Sequence, residues 1–297
     1  MGSRQHGLVV VGYGAESIVQ ADDGSLHRCV IRRRTGRPVC GDRVEWTQGA
    51  GKSGTIEQIL PRHNELARTN YRGQARILAA NLDCLMIVLA PQPAPDRELI
   101  DRYLVLAHSL RMDPLLVINK HDLLAASERS GLESGMLAPW VNLDYSCVWT
   151  STKTDTGLDS LKQWLGDRVG ILVGQSGVGK SSLINALLPE RNARTQALSE
   201  ASGQGRHTTT ETTLYPLQDQ GALVDSPGIR ILRLGHLSSE IIANGYRDFH
   251  PYRDHCQYRN CTHRNEPDCA VREAVDKGRI HPLRFASYHA LLAEIPN

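Results

Sequence analysis

The sequence predicts a multidomain protein: an N-terminal OB-like β-barrel, a central α/β domain, and a helical C-terminal domain bearing a Cys/His cluster. Three observations predict it. Residues 7–66 hold short apolar or alternating runs separated by Gly, Asp and Pro clusters. Residues 69–235 alternate strand-like and helix-like patterns. From residue 236 onward polar, aromatic, Cys and His residues mix, and no strand pattern survives. A chain of 297 residues is long enough for two or three domains with sizeable cores. The boundaries read 1–68, 69–235 and 236–297.

In the first segment GLVVVGY, SIVQA, HRCVIRRR, DRVEWTQ and SGTIEQIL read as strands, with DDGS, TGRPVCGD and GAGKSG as turns. About five strands so punctuated suggest a small barrel, and OB-like barrels bind oligonucleotides. Residues 1–68 carry ten Lys+Arg against seven Asp+Glu, although the whole chain is only +2. The excess sits in Arg28, Arg32, Arg33, Arg34 and Arg37. Such a cluster suits an anionic partner such as RNA, or equally a charged hairpin edge that blunts strand pairing.

In the second segment DCLMIVLAP is a continuous apolar run, as expected of a strand buried on both faces. RELIDRYLVLAHSLR has helical spacing, and DPLLVINKHDLL is a strand ending in polar residues. TGLDSLKQWLG reads as a helix, VGILVGQ as a strand, KSSLINALL as a helix, and GALVDSPGI as a strand running into a loop. This alternation implies a parallel sheet covered by helices. In the third segment VREAVDKG and RFASYHALLAEI read as helices.

No apolar run reaches the 18 residues of a membrane span, and no secretory leader is legible. Seven cysteines, an odd number, fit a reducing compartment better than a disulfide framework. The expectation is a cytoplasmic monomer with no membrane partner.

GQSGVGKS, Gly174 to Ser181, matches the phosphate-binding loop pattern without a mismatch, between a strand and a helix. Backbone N–H groups of Gly174, Gln175, Ser176, Gly177, Val178 and Gly179 can surround phosphate oxygens. Lys180 can reach the β and γ phosphates, Ser181 can ligate Mg²⁺, and Ser182 follows on the helix. NKHD, that is Asn119, Lys120, His121 and Asp122, ends a buried strand at the ligand-binding edge of the sheet. Asp122 can accept both hydrogen bonds that guanine offers and adenine does not. Asn119 would support the loop, and the Lys120 stem would cover a purine face. Ser151, Thr152 and Lys153 lie where GTP-binding proteins carry a loop over guanine, with Thr152 in place of the usual Ala. DSPG ends a strand, so Asp225 is placed for the Mg²⁺ shell and the Gly228 N–H for the γ-phosphate.

Between these motifs lies the polar SEASGQGRHTTTETTLY, suited to a switch segment with a threonine completing the Mg²⁺ shell. Thr208, Thr209 and Thr210 are the candidates, with Thr209 preferred. Ile229 stands at the fourth position after Asp225 and cannot orient a water. His207 is the nearest polar substitute, and a solvated loop histidine is the alternative. Finally, Cys256, Cys261, His263 and Cys269 fall within 14 residues and make a complete tetrahedral set for one structural Zn²⁺. His255 is a rival ligand. Cys29, Cys40, Cys84 and Cys147 are scattered and read as buried fillers.

NKHD, STK, GQSGVGKS, GRHTTT and DSPG come in the order of a circularly permuted GTPase. With VCGDRVEW before them and the Cys/His cluster after, residues 7–290 resemble the bacterial small-subunit-dependent GTPases of the RsgA (YjeQ) family. The resemblance implies an OB barrel, a permuted GTPase core and a zinc-bearing helical domain. It also implies hydrolysis of GTP to GDP with Mg²⁺, stimulated by the small ribosomal subunit and its rRNA during late assembly. Permutation keeps such a site intact, because termini lie near one another at the surface and the motifs stay on one sheet edge. Two rival readings are an ATP-using P-loop enzyme and an RNA-binding zinc protein with a structural nucleotide site. NKHD with STK opposes the first; intact Lys180, Ser181 and Asp225 oppose the second.

Overall fold

Five strands carry alternating apolar residues, and each turns them to a common interior. The strands are β1 (Arg4–Gly12), β2 (Glu16–Ala21), β3 (Leu26–Ile31), β4 (Arg43–Gln48) and β5 (Ser53–Ile59). β1 pairs antiparallel with β2 and β4, β2 with β3, and β4 with β5, while β3 and β5 run parallel. The order β1-β2-β3-β5-β4 thus closes back on β1 as an OB-type barrel. Val9, Val19, Cys29, Val44, Trp46 and Ile56 fill it. The Trp46 indole N–H donates to the His6 carbonyl at 3.1 Å, so the largest core side chain leaves no polar atom stranded.

The computed structural model describes residues 3–32, 34–69, 75–190, 196, 198, 211–217, 221–226 and 237–295. The chain divides into two compact units. One comprises Met1–Cys84, Lys162–Leu172 and Ser181–Ile229; the other comprises Leu85–Leu161, Val173–Lys180 and Arg230–Asn297.

In the first unit the barrel is followed by an antiparallel pair, β6 (Glu65–Thr69) and β7 (Ala75–Ala80), which the sequence pattern does not reveal. Asn81 Nδ2 donates to the Gly41 carbonyl at 2.9 Å, and Asn64 holds both backbone groups of Leu82. Asp42 is wholly buried beneath them. Arg62 grips it through two bonds of 2.7 and 2.8 Å, and the Val39 N–H adds a third at 2.7 Å. The same unit holds β11 (Val169–Val173), β12 (Thr213–Pro216) and β13 (Ala222–Asp225). β11 and β13 are parallel, as expected, but β12 runs antiparallel to β13. The reason is the connection: a few residues between two strands can close a hairpin but cannot make the crossover that a parallel pair requires. The end of the stretch read as a switch, TLY, therefore lies in a strand.

In the second unit lie β8 (Cys84–Leu89), α1 (Arg97–Ser109), β9 (Asp113–Ile118), α2 (Ala126–Ser134), α3 (Ala138–Val141) and β10 (Cys147–Trp149). Every residue of β8 is buried, which accounts for its unbroken apolar run. β9 and β10 are parallel. α4 (Leu158–Leu165) and α5 (Lys180–Leu187) fall where the sequence places them. From Leu237 the described residues form only helices: Ser239–Asn244, His250–Arg253, Ala270–Asp276 and Pro282–Leu292, with one 3₁₀ turn at Arg247–Phe249. Among the described residues no helix is long and apolar enough to cross a membrane. Cys29, Cys40 and Cys84 are buried and Cys147 half-buried. Burial pushes the Cys29 thiol up to about 12 and the Cys147 thiol up to about 11.

Removing Arg62 would leave the Asp42 carboxylate buried with only one backbone donor. Arg62→Met should cost about 3–5 kcal/mol of stability in urea denaturation. A loss below about 1 kcal/mol would class the pair with surface ion pairs.

Candidate nucleotide and metal sites

The phosphate-loop sequence leaves β11 at Gly174 and ends on the first turn of α5. Gly174 has φ +139°, and a Cβ there would sit 2.3 Å from the Val88 carbonyl oxygen. Gly179 has φ +95°, and a Cβ there would meet Asn119 Nδ2 at 2.3 Å. Both positions therefore need glycine, for backbone conformation and for room. Lys180 Nζ donates to the carbonyls of Gly174 and Gln175 at 2.7 and 2.6 Å, so its stem lies back over the loop. Gln175 Oε1 accepts the Asp96 N–H at 3.2 Å, Ser176 and Gly177 are exposed, and Val178 is buried. Ser181 and Ser182 are exposed on α5.

NKHD follows β9. Asn119 is 1% exposed and binds in three directions. Its N–H donates to Leu89 O at 2.8 Å, its Nδ2 to Val178 O at 2.9 Å, and its Oδ1 accepts the Thr150 hydroxyl at 3.2 Å. Lys120 is left-handed (φ 57°), and Nζ donates to Gly177 O at 2.6 Å and Gln92 O at 3.1 Å. The guanine-loop motif and the phosphate-loop motif, fifty-odd residues apart, are thus hydrogen-bonded directly to each other. His121 N–H donates to Thr150 O at 3.3 Å.

Ser151, Thr152 and Lys153 follow β10. The Ser151 hydroxyl donates to Asp122 Oδ1 at 2.6 Å and accepts the N–H groups of Lys153 and Thr154 at 3.2 and 3.3 Å. That donation, with minor help from Lys153, holds the Asp122 carboxyl below the ordinary carboxylate range. Asp122 is therefore ionised and aimed as an acceptor, and Thr152 is half-buried beside the exposed Lys153. Sequence reasoning missed what braces this edge. The Arg129 guanidinium lies 4.4 Å from the Trp149 ring centroid, and Glu133 accepts the Trp149 indole N–H at 2.8 Å. Arg129 and Glu133 both come from α2, whose polarity gave no sign of a partner.

In the first unit Asp225 ends β13, half-buried, and the neighbouring Ser226 hydroxyl bonds the Thr212 hydroxyl at 2.9 Å. His207, Thr208, Thr209, Thr210, Gly228 and Ile229 lie outside the described residues.

The second candidate centre is the Cys/His cluster. The ligand atoms of Cys256, Cys261, His263 and Cys269 all lie within 4.8 Å of one another. Cys256 and Cys269 sulfurs are 3.9 Å apart, and His263 Nδ1 lies 3.6 and 3.4 Å from them. A tetrahedral Zn²⁺ with ordinary bond lengths needs edges of about 3.8 Å between sulfurs and about 3.6 Å from sulfur to nitrogen. The residues therefore fit one such ion, and His255 is not part of the group. His263 is buried, left-handed (φ 58°), and set edge-on to Phe249. Glu266, which sequence reasoning also missed, shapes the ligand loop. Its carboxylate accepts the Thr262 N–H and hydroxyl at 2.6 Å each, and the Arg264 and Asn265 N–H groups at 2.8 and 3.1 Å. Burial acts to raise its pKa, but those bonds outweigh it and bring it to about 2.

Similarity to known proteins agrees with this geometry. A family model described as RsgA GTPase matches residues 59–235. The small ribosomal subunit biogenesis GTPase RsgA of Actinobacillus pleuropneumoniae serotype 5b (strain L20) is 45% identical over 296 residues, covering 98% of this chain and 86% of that protein. The chain belongs to the RsgA GTPase family. The RsgA of Azotobacter vinelandii is 43% identical over 300 residues, covering 100% of this chain and 87% of its own length. Among solved structures, YjeQ from Thermotoga maritima superposes with TM-score 0.81 at 30% identity, covering 99% of both chains. YloQ, described as a circularly permuted GTPase, superposes with TM-score 0.77 at 24% identity, covering 99% of this chain and 97% of its own. The permuted GTPase fold of this RsgA-family chain follows, with its N-terminal barrel and a C-terminal cluster that could hold one metal ion.

The full chain purified without chelator is expected to carry one metal ion per molecule. Because a structural metal contributes directly to folding, chelation should disorder the C-terminal helices first, read by proteolysis. Metal-free protein with an intact protease pattern would refute this.

Proposed function

We propose that this GTPase binds GTP and GDP through Asn119–Asp122, Ser151–Lys153 and Gly174–Ser182, and acts in biogenesis of the small ribosomal subunit. The observation that carries the reading is the Asn119 side chain bonded at once to Val178 O and Thr150 Oγ1. It joins one base-reading edge and one phosphate-reading loop into one site. Asp122, ionised and oriented by Ser151, accepts from guanine N1–H and the exocyclic amine. Adenine leaves such a polar pairing edge unmatched, which discriminates by about 10⁴ or more. Asp122→Asn should lower affinity for GTP and raise it for xanthosine triphosphate, whose 2-oxo group pairs with the amide. Equal competition by ATP and GTP for the native site would defeat the guanine reading.

Lys180, drawn off its carbonyl partners, reaches the β and γ phosphates. Ser181 and Asp225 offer hard oxygen donors that suit Mg²⁺, with Thr209 and the Gly228 N–H as the proposed partners from the switch segments. Bound Mg²⁺ would neutralise charge on the β and γ oxygens. The Cys256, Cys261, His263 and Cys269 ligands take Zn²⁺ as a closed structural ion with no position left for catalysis. Residues 1–68, 69–235 and 236–297 act as an RNA-facing barrel, a GTPase core and a zinc-bearing domain of a cytoplasmic monomer. Arg28 and Arg32 are paired with Glu16 and Glu57 at 2.6 and 2.9 Å. Both guanidiniums are exposed, so rRNA phosphates can compete for them.

The small subunit enters the proposal because the relatives at 43–45% identity bear that role in their names. With Ile229 in the water-orienting position, the isolated chain should turn over slowly, at about 10⁻⁴–10⁻² s⁻¹. Small subunits should raise that rate, and Lys180→Ala should abolish it. A rate unchanged by small subunits would remove the ribosomal role. His207→Ala with unchanged stimulated turnover would remove His207 from the mechanism.

A further inference from the structure

Three consecutive residues of α1 point to three different partners. Asp101 accepts the Trp140 indole N–H at 2.6 Å and pairs with Arg284, which is 1% exposed. Arg284 also binds Asp248 through Nη2 at 2.7 Å, and its guanidinium lies 4.5 Å from the Tyr246 ring centroid. Arg102 binds Glu294 at 2.6 Å. Tyr103 is fully buried, and its hydroxyl oxygen accepts the backbone N–H of Gly174. About two turns earlier, at the N-cap of α1, the Asp96 N–H holds Gln175 Oε1. The first two residues of the phosphate loop are thus held by α1. Asp101 and Arg102, the two side chains before Tyr103, are held by Arg284 and Glu294 of the C-terminal segment.

The C-terminal partners lead on to the metal ligands by direct packing. Asp248 belongs to the 3₁₀ turn that carries Phe249, and Phe249 meets His263 edge-on at 5.8 Å. Tyr246 stacks on Phe249 at 5.0 Å, and the Tyr288 hydroxyl donates to Thr262 O at 3.0 Å, beside His263. Phe249, Tyr246 and Tyr288 are all fully buried. Close-packed cores shift between discrete arrangements rather than yielding smoothly, so displacement at either end must be resisted at the other.

We propose that α1 is a rigid link between the phosphate loop and the Cys256–Cys269 metal module, with Tyr103 and Arg284 as its two contact points. The link rests on reading Gly174–Ser181 as the phosphate loop. Tyr103 is a positioning residue: it holds the Gly174 N–H, and it transmits whatever fixes α1 from the C-terminal side. Binding of GDP should then stabilise the metal module, and a filled metal module should favour GDP binding by the same factor.

The test uses the full chain loaded with zinc. Saturating GDP should slow extraction of zinc by a chromogenic chelator by about five-fold or more, the lower end of ordinary coupling between sites. Tyr103→Phe should weaken binding of a fluorescent GDP about two- to ten-fold, the worth of one hydrogen bond, with zinc content unchanged. In that variant, at saturating GDP, the protection against extraction should disappear. Asp101→Ala removes the oxygen that Trp140 and Arg284 share and leaves Arg284 its Asp248 partner, and it should lose protection in the same way. GDP protection as strong in both variants as in the native chain would overturn the link. So would GDP binding to the native chain with no protection at all. A native chain that does not bind GDP would overturn the guanine-nucleotide reading itself, and the link with it.

Discussion

One buried amide holds the proposed nucleotide site together. Asn119 closes hydrogen bonds to Leu89, Val178 and Thr150, the ends of three separate chain segments. A side chain that is 1% exposed leaves no water to substitute for a lost partner, so each bond is obligatory. Gly179 must lack a Cβ because Asn119 Nδ2 already fills that space. Lys120 must turn left-handed to send its ammonium to Gly177 while Asp122 turns to Ser151. Much of the local geometry of the site follows from satisfying Asn119.

Permutation is tolerable for the same reason. The contacts of Asn119 and Lys120 are made by strand-end loops, and hydrogen bonds between loops do not depend on which segment was synthesised first. What permutation changes is connectivity. The phosphate-loop motif here comes late, after α1 and after NKHD. The first helix of the permuted core is thereby free to lie against both the phosphate loop and the chain's final helices, as the bonds of Asp96, Arg102 and Asp101 record.

Features set by short-range rules were legible in the sequence. β8 could be recognised because burial on both faces demands an unbroken apolar run. GQSGVGKS was legible because the turn needs glycine at fixed offsets, and the Cys/His cluster because ligand spacing is local. The β6–β7 pair was not, because its register slips between Leu66 and Ala67 and breaks the alternation. β12 was hidden because Thr213 ends a threonine-rich polar run, although its branched side chain suits a strand. Arg284 was the deepest omission. Within RFASYHALLAEI an arginine looks like the solvated face of a helix, yet its partner Asp101 lies 183 residues away in sequence. Burial of that kind has no local signature. Trp149 with Arg129 and Glu133 was missed for a similar reason, whereas the partners of Glu266 lie within four residues of it.

The Asp101–Arg284–Asp248 group also argues about purpose. Burying three charges carries a desolvation penalty of several kcal/mol per ion, and a well-packed apolar trio would match or exceed its stability. Raw stability is therefore a poor account of it. Its geometry is directional where an apolar contact would be slippery. Arg284 meets Asp101 through Nη1 and Asp248 through two bonds, and Trp140 donates to the same Asp101 oxygen that Arg284 binds. Such a group admits one register between α1 and the C-terminal helices and penalises any sliding that unpairs a charge. A fixed register is what a link between two ligand sites requires, because slack between helices would absorb a displacement before it reached the phosphate loop.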